Sequence, residues 1–237
     1  IVIGRFEAGD YPLWGSYYFR WWLVRRVIAV TATPYLAGTP MVRGYYRMLG
    51  AKIGKHCYIG TGIIDTSDLV VMGDDAIVSD LAVLATSSVE RGLLRLGTVT
   101  LGAKSFVGSM AVVGRNASLG EGAVLDDLSS LTAGATIPAG ERWNGSPAAR
   151  DPASEPPLAG PREYTQGIGT TIGLFVGALL LPLVSILPIA PGLIALIELD
   201  WATNGYAYIL VSPLLAGTYV LMMCVLTVVT KRLLLGR

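Results

Sequence analysis

From Leu101 to Thr136 an aliphatic residue returns at every sixth position, and the fifth place of each six is always Ser or Ala: LGAKSF, VGSMAV, VGRNAS, LGEGAV, LDDLSS, LTAGAT. The frame also fits IGKHCY and IGTGII over 53–64, where only Ile63 breaks the small fifth position, and MGDDAI and VSDLAV over 72–83. A period of six is neither the 3.6 of an amphipathic helix nor the 2 of a half-buried strand, and a sustained short repeat decides the fold before any local element does. One inward aliphatic per hexapeptide, with a small residue where the corner is tight, predicts a left-handed parallel β-helix. Each hexapeptide forms one face of a triangular coil, and the second-position glycines are read as permitting the turn. The fold class is therefore mainly β, with ten hexapeptides making a little over three coils.

Two interruptions break the frame, at 65–71 and at 86–100, the second carrying Glu90, Arg91 and Arg95. Both predict loops projecting from the prism. After Ile137 the segment Pro138-Ala139-Gly140 and then WNGSPA at 143–148 is expected to cap the stack and leave it. Four prolines over 151–161 predict an extended linker.

Beyond the repeat the pattern changes to long apolar runs. No charged side chain falls between Gln166 and Ile197, or between Trp201 and Thr230. Residues 168–187 and 206–229 are each long enough to cross a hydrocarbon core of about 30 Å. Pro188, Pro191 and Gly192 are expected to leave a short bent or re-entrant piece at 193–197. The prediction is a C-terminal transmembrane hairpin. Arg150, Arg162, Lys231, Arg232 and Arg237 flank its outer ends, and only Glu198 and Asp200 lie between the spans, which places the prism and the C-terminus on the cytoplasmic side. At the other end, residues 11–35 mix Trp14, Tyr17, Tyr18, Phe19, Trp21 and Trp22 with Arg20, Arg25 and Arg26. Such a mixture suits the headgroup layer and predicts an N-terminal interfacial helix; a helix packed on the prism is the other reading. The domains expected are 1–50, membrane-interfacial; 51–148, β-helix; 149–166, linker; and 167–237, two transmembrane helices.

Composition narrows the classes. Of 237 residues 52% are apolar and 15% charged, and the net charge is +1. Binding to the lipid bilayer is expected, and nucleic-acid binding by bulk charge is excluded. Two cysteines, Cys57 and Cys224, are too few for a disulfide framework, and the single His56 is too few for a site of several imidazoles, such as the three-histidine zinc centre of gamma-type carbonic anhydrases. No other metal-ligand cluster appears. The chain opens on Ile1 without a basic-then-apolar leader, and reads as an internal portion of a longer polypeptide.

The hexapeptides, IGKHCYIG at 53–60 and the exit WNGSPA resemble the hexapeptide acyltransferase superfamily. More narrowly, the order YPLWGSYYFRWWLVRR, GYYRMLGAKIG, prism, loop, PAGERWNGSPA and a helix pair resembles the C-terminal region of membrane-bound nonribosomal peptide synthetases of the epsilon-poly-lysine synthetase type. That resemblance implies a condensation-like acyltransferase unit joining carrier-bound amino acids into a poly-amino acid (isopeptide) chain. It implies a phosphopantetheine thioester on a partner carrier domain, an adenylation domain upstream, and sibling β-helix domains forming a trimer or pseudo-trimer. It implies no cofactor bound by the prism itself. Other readings are a non-catalytic scaffold copy of such a unit, and a membrane-tethered hexapeptide acyltransferase for a small amine or sugar. The family's loop carries a histidine suited to act as base. In SSVERGLLR, Ser87 stands at its place, Glu90 is kept, Arg95 replaces a lysine, and Arg91 and Gly92 stand where the family has Asp and Arg.

Aminoacyl transfer from a thioester requires a neutral amine, a donor for the oxyanion and a dry surface. Glu90 and His56 are the candidate bases, set against an ion-paired loop carboxylate and an outward-facing fourth-position side chain. Arg91, Arg95, Asp65 and Asp68 are the candidate substrate-binding residues, the two aspartates for a cationic amino acid or else as turn residues. Cys57, at a small fifth position, reads as a filler of the core rather than a nucleophile.

Overall fold

A computed structural model describes residues 4–30, 36–60, 64–151, 167–203 and 207–235. The chain divides into two compact units, Ile1–Ile172 and Gly173–Arg237.

In the first unit the repeat forms two-residue strands that return one coil later in parallel register. Phe106 pairs with Val124 and Val107 with Leu125, and Val112 with Ser130 and Val113 with Leu131. Ser118 pairs with Thr136 and Leu119 with Ile137. These pairings build three parallel sheets, consistent with the left-handed coil expected from the repeat. The first contains β2 (Lys52–Ile53), β4 (Val70–Met72), β9 (Val99–Leu101), β12 (Ser118–Leu119) and β15 (Thr136–Ile137). The second contains β3 (Tyr58–Ile59), β5 (Ile77–Val78), β10 (Phe106–Val107), β13 (Val124–Leu125) and β16 (Arg142–Asn144), closed by antiparallel β17 (Ala149–Arg150). The third contains β6 (Val83–Leu84), β11 (Val112–Val113) and β14 (Ser130–Leu131).

The first-position aliphatics form the core. Ile59, Val78, Leu84, Leu101, Val107, Val113, Leu125, Leu131 and Ile137 are all buried, with the small Ala76, Ala82, Ala111, Ala117 and Ala123 beside them. Each buried aliphatic of this size contributes about 1.5–3 kcal/mol. The turn is made one residue before the small position. His56, Asp75, Leu81, Lys104, Met110, Asn116 and Leu128, all fourth in their hexapeptides, have φ between 53° and 59°. Gly122, Gly134 and Gly140 at the same place are left-handed too. The second-position glycines are needed for a different reason from the turn expected of them. A Cβ on Gly102 would lie 2.6 Å from the backbone carbon of Gly120, and one on Gly114 2.7 Å from the nitrogen of Ala133, so the coils touch there.

Two further expectations are corrected. The segment 86–100 is no free loop but a hairpin, β7 (Ser87–Glu90) and β8 (Leu93–Leu96), to which β1 (Gly9–Pro12) adds antiparallel. The exit does not leave the stack after Ile137, because Trp143 in β16 still pairs with Leu125. The N-terminal helix α1 (Ser16–Val30) packs on the prism along one side: Trp21 is buried against Leu69, Leu94 and Leu96, while Phe19, Trp22, Leu23 and Val27 stay exposed. Helix α2 (Met41–Met48) buries Val42 and Tyr46 against the first coil. The linker residues 152–166 and Ile63 lie outside the described residues.

The C-terminal segment has three helices, α3 (Ile168–Ile186), α4 (Ile189–Thr203) and α5 (Ala207–Leu235). The re-entrant piece expected at 193–197 is instead part of α4. Pro191 falls in the first turn of that helix, where its missing N–H has no partner to lose. Ser212–Leu233, 22 residues with mean hydropathy 1.9, is the one helix among the described residues long and apolar enough to cross a membrane; the apolar stretch Ile168–Leu180 is shorter.

The two glycine classes should respond oppositely. Gly102→Ala and Gly114→Ala, which force neighbouring coils apart, should each lower unfolding stability by about 1–3 kcal/mol, whereas Gly122→Asn, at a left-handed corner that Asn tolerates, should leave the thermal midpoint nearly unchanged. Equal effects in both classes would contradict the assignment.

Candidate functional site

The β7–β8 hairpin leaves the prism at the edge between the sheets of β6 and β9. Arg91 and Gly92 form its tip with φ of 50° and 77°, the paired left-handed residues that match a tight turn to strand twist. Leu94 and Leu96 face α1 and are buried with Trp21 and Leu69. This apolar seat holds the hairpin, and with it Ser87 and Glu90, against the prism.

Two polar groups sit on this scaffold. At the base of the hairpin the Ser87 hydroxyl donates to the Asp65 carboxylate. Asp65, whose side chain is only 10% exposed, is also held by Arg25 Nη2 at 2.5 Å. The Arg25 guanidinium lies 4.7 Å over the Trp21 ring, and Trp21 Nε1 donates to Thr66 Oγ1 at 3.2 Å. Helix α1, the first interruption and the hairpin are thus tied by one chain of contacts. Further out, Glu90 accepts from Ser88 Oγ at 3.0 Å and is flanked by Arg95 at 3.4 Å and Arg115 at 3.7 Å. Arg115 Nε also donates to Ser88 Oγ at 2.9 Å, and Arg95 lies 3.8 Å from Asp10 on β1.

Glu90 and Arg95 are therefore brought together, with Asp65 at the base of their hairpin and Arg91 exposed at its tip. His56 is placed apart, on the edge between β2 and β3, exposed and 3.5 Å from Asp75. Asp68 accepts the Phe6 amide at 3.1 Å, an anchor for the N-terminal segment. Cys57 is buried and donates to the Gly73 carbonyl at 3.0 Å; burial pushes its thiol above the usual range, the opposite of what a thiolate nucleophile needs. Arg25 and Arg115 were missed from the sequence. For Arg115 a signal existed: it is third in its hexapeptide, at the same edge as the hairpin one coil later. Arg25 had none, since its pairing with Asp65 arises only when α1 docks.

A carboxylate between two guanidiniums, and a second one between a guanidinium and a hydroxyl, are arrangements that hold a loop in shape. Asp65 is largely enclosed, whereas Glu90 keeps half of its side chain exposed beside its two guanidiniums.

A regular coil of hexapeptides with an inserted hairpin defines a hexapeptide-repeat β-helix protein. Over 141 residues the chain is 38% identical to the delta-poly-L-ornithine synthetase of Acinetobacter baumannii (strain AB307-0294), a match covering 60% of this chain and 11% of that protein. The resemblance to synthetases of the epsilon-poly-lysine type, read from the order of motifs, is borne out by this relative; the chain spans about a tenth of the relative's length. No family model matches. Among solved structures, a galactoside acetyltransferase in complex with coenzyme A is 13% identical, covering 61% of this chain and 86% of the other at a TM-score of 0.47. A maltose O-acetyltransferase from Clostridium difficile 630 is 14% identical, covering 61% and 91% at 0.40.

Arg25→Met should strand the part-buried Asp65 and cost about 1–3 kcal/mol of stability. Adding Asp65→Asn should restore part of that loss in a double-mutant cycle. Additive losses in denaturant unfolding would show that the pair is not coupled. In a Cys224→Ser background, Cys57 should react with a thiol reagent at pH 8 only at the rate of global unfolding; prompt labelling of the folded chain would contradict its burial.

Proposed function

We propose that this chain is an acyltransferase-related prism unit of a membrane-bound nonribosomal peptide synthetase that joins carrier-bound amino acids into a poly-amino acid chain. Support comes from the 38% identity to a poly-ornithine synthetase, together with a helix able to cross a membrane in the same chain. The amino acids would arrive as phosphopantetheine thioesters on a carrier domain charged by an adenylation domain, and sibling prisms would complete the assembly. The prism would face the cytoplasm, on the distribution of Lys and Arg around the apolar segments.

Within that assembly this unit acts as a scaffold copy. The observation that favours this reading is the pairing of Glu90 with both Arg95 and Arg115, with Ser87 standing where the related loop has its histidine. A base must take a proton from the attacking ammonium and present a free lone pair within about 3 Å of it. Glu90 instead has a guanidinium beside each of its oxygens, and His56 lies on another edge of the prism.

In the full synthetase, Glu90→Gln and His56→Asn, each introduced only in this unit, should leave polymer formation within a few-fold of the parent. Asn is chosen because His56 has φ of 53°. Loss of a general base costs about 100-fold to 10,000-fold, so a fall of that size with the protein still assembled would make this unit catalytic.

A further inference from the structure

Helix α1 has two opposite faces. At about 100° per residue, Tyr17, Trp21 and Arg25 fall on one side of it and Phe19, Trp22, Leu23, Arg26 and Val27 on the other. The inner side holds the hairpin. Trp21, Tyr17 and Tyr18 pack with Leu69, Leu94 and Leu96 in a cluster separate from the prism core. Arg25 pairs with Asp65, which accepts the Ser87 hydroxyl at the hairpin's base. The segment just ahead of the helix grips the same hairpin along its edge: β1 pairs with β8 from Gly9↔Leu96 to Pro12↔Leu93, and Leu13 N donates to the Gly92 carbonyl at the tip at 2.9 Å. One stretch of chain, from Gly9 to Arg25, therefore supplies both the edge strand and the apolar seat of β7–β8.

The outer side is left open. Phe19, Trp22, Leu23 and Val27 are 40–59% exposed, and the Arg26 guanidinium lies 5.7 Å over the Trp22 ring. Trp14, where the chain turns from β1 into α1, is 81% exposed with φ of 66°, a left-handed backbone that a bulky side chain resists. Between residues 11 and 64 the chain has seven Lys and Arg and no Asp or Glu, although its net charge is only +1. An apolar stripe among cations, with no carboxylate near it in sequence, fits the surface of an anionic bilayer. Ser212–Leu233, long and apolar enough to cross a membrane, belongs to the same chain.

We propose that anionic lipid on the outer stripe of α1 clamps the β7–β8 hairpin seated on its inner face, so that membrane contact sets how firmly the hairpin is ordered. The inference rests on reading the chain as part of a membrane-bound protein, and it holds for a catalytic unit and a scaffold unit alike. A ligand shifts an equilibrium only by its differential affinity for the two states. Seated, α1 is already helical; lifted off, its 15 residues are too few to hold a helix well in water, and lipid would have to order them. Lifting α1 away would also bare Leu69, Leu94 and Leu96 to water and take the guanidinium from Asp65. Lipid therefore favours the seated state.

The test uses the full-length synthetase in nanodiscs of phosphatidylglycerol and phosphatidylcholine, read by hydrogen exchange. Trp22→Gln, Leu23→Gln and Val27→Gln together, all on the face away from Trp21, should speed exchange of amides 88–96 at least about 10-fold while amides 106–137 keep their protection. Unchanged hairpin exchange in this variant, or equal hairpin protection of the parent in discs of phosphatidylcholine alone, would overturn the proposal. Protection lost equally over 106–137 would overturn it too, since the stripe would then be supporting the prism itself. A photoreactive benzoylphenylalanine in place of Leu23 should cross-link to lipid, as should one in place of Val220 on α5. Lipid captured at Val220 but not at Leu23 would overturn the clamp and leave the membrane reading standing; no lipid at either position would count against both.

Discussion

Everything in the prism follows from the backbone bonds between coils. A hexapeptide side cannot stand alone, since its two-residue strand gains partners only from the coil above and the coil below. Val124 N bonds to Glu141 O at 2.8 Å and Gly102 N to Leu119 O at 2.8 Å, and the same pattern runs along the stack. To keep those bonds in register each corner must have the same length and the same left-handed residue. The aliphatic ladder is then a consequence, because a chain that turns identically at every sixth residue brings every sixth side chain to the same axis. A single insertion is tolerated only where it leaves and re-enters at a corner, as the hairpin between Thr86 and Gly97 does through the bond from Gly97 N to Thr86 O.

The ladder itself was legible in the sequence, since its period of six has no competing explanation. Corner chemistry was not. Second-position glycines catch the eye because they recur, yet what they permit is contact between coils, visible only once the coils are stacked. The left-handed fourth position is concealed by its varied occupants, among them leucine, lysine and histidine. In the same way, nothing in YPLWGSYYFRWWLVRR told Trp21 from Trp22. One is buried under the hairpin and the other exposed, and the distinction depends on which face of α1 meets Leu94 and Leu96. The C-terminal part misled in a third way: Pro191 and Gly192 look like breakers, but a proline in the first turn begins a helix as readily as it ends one.

The site residues divide along the same line. Glu90 and Arg95 were found because they interrupt a strict repeat with charge, and the hairpin does bring them together. The partners that define what Glu90 is free to do, Ser88 and Arg115, arrive from its own strand and from the next coil. Asp65, read as a group for a cationic amino acid or as a turn residue, is neither free nor simply a turn residue; its partner, Arg25, is supplied by a helix 40 residues upstream, about which a local reading has nothing to say.

A stack of parallel coils has two open ends, each a row of unpaired peptide groups that another stack could extend. Here each end is partly covered. At the first coil Val42 and Tyr46 of α2 lie over the core, and Gly38 N takes the Ile59 carbonyl at 2.8 Å. At the last, β17 runs back antiparallel along β16, which a further parallel coil cannot copy. Growth along the axis into fibres is thereby hindered at both ends, since an added coil would first have to displace α2 or β17.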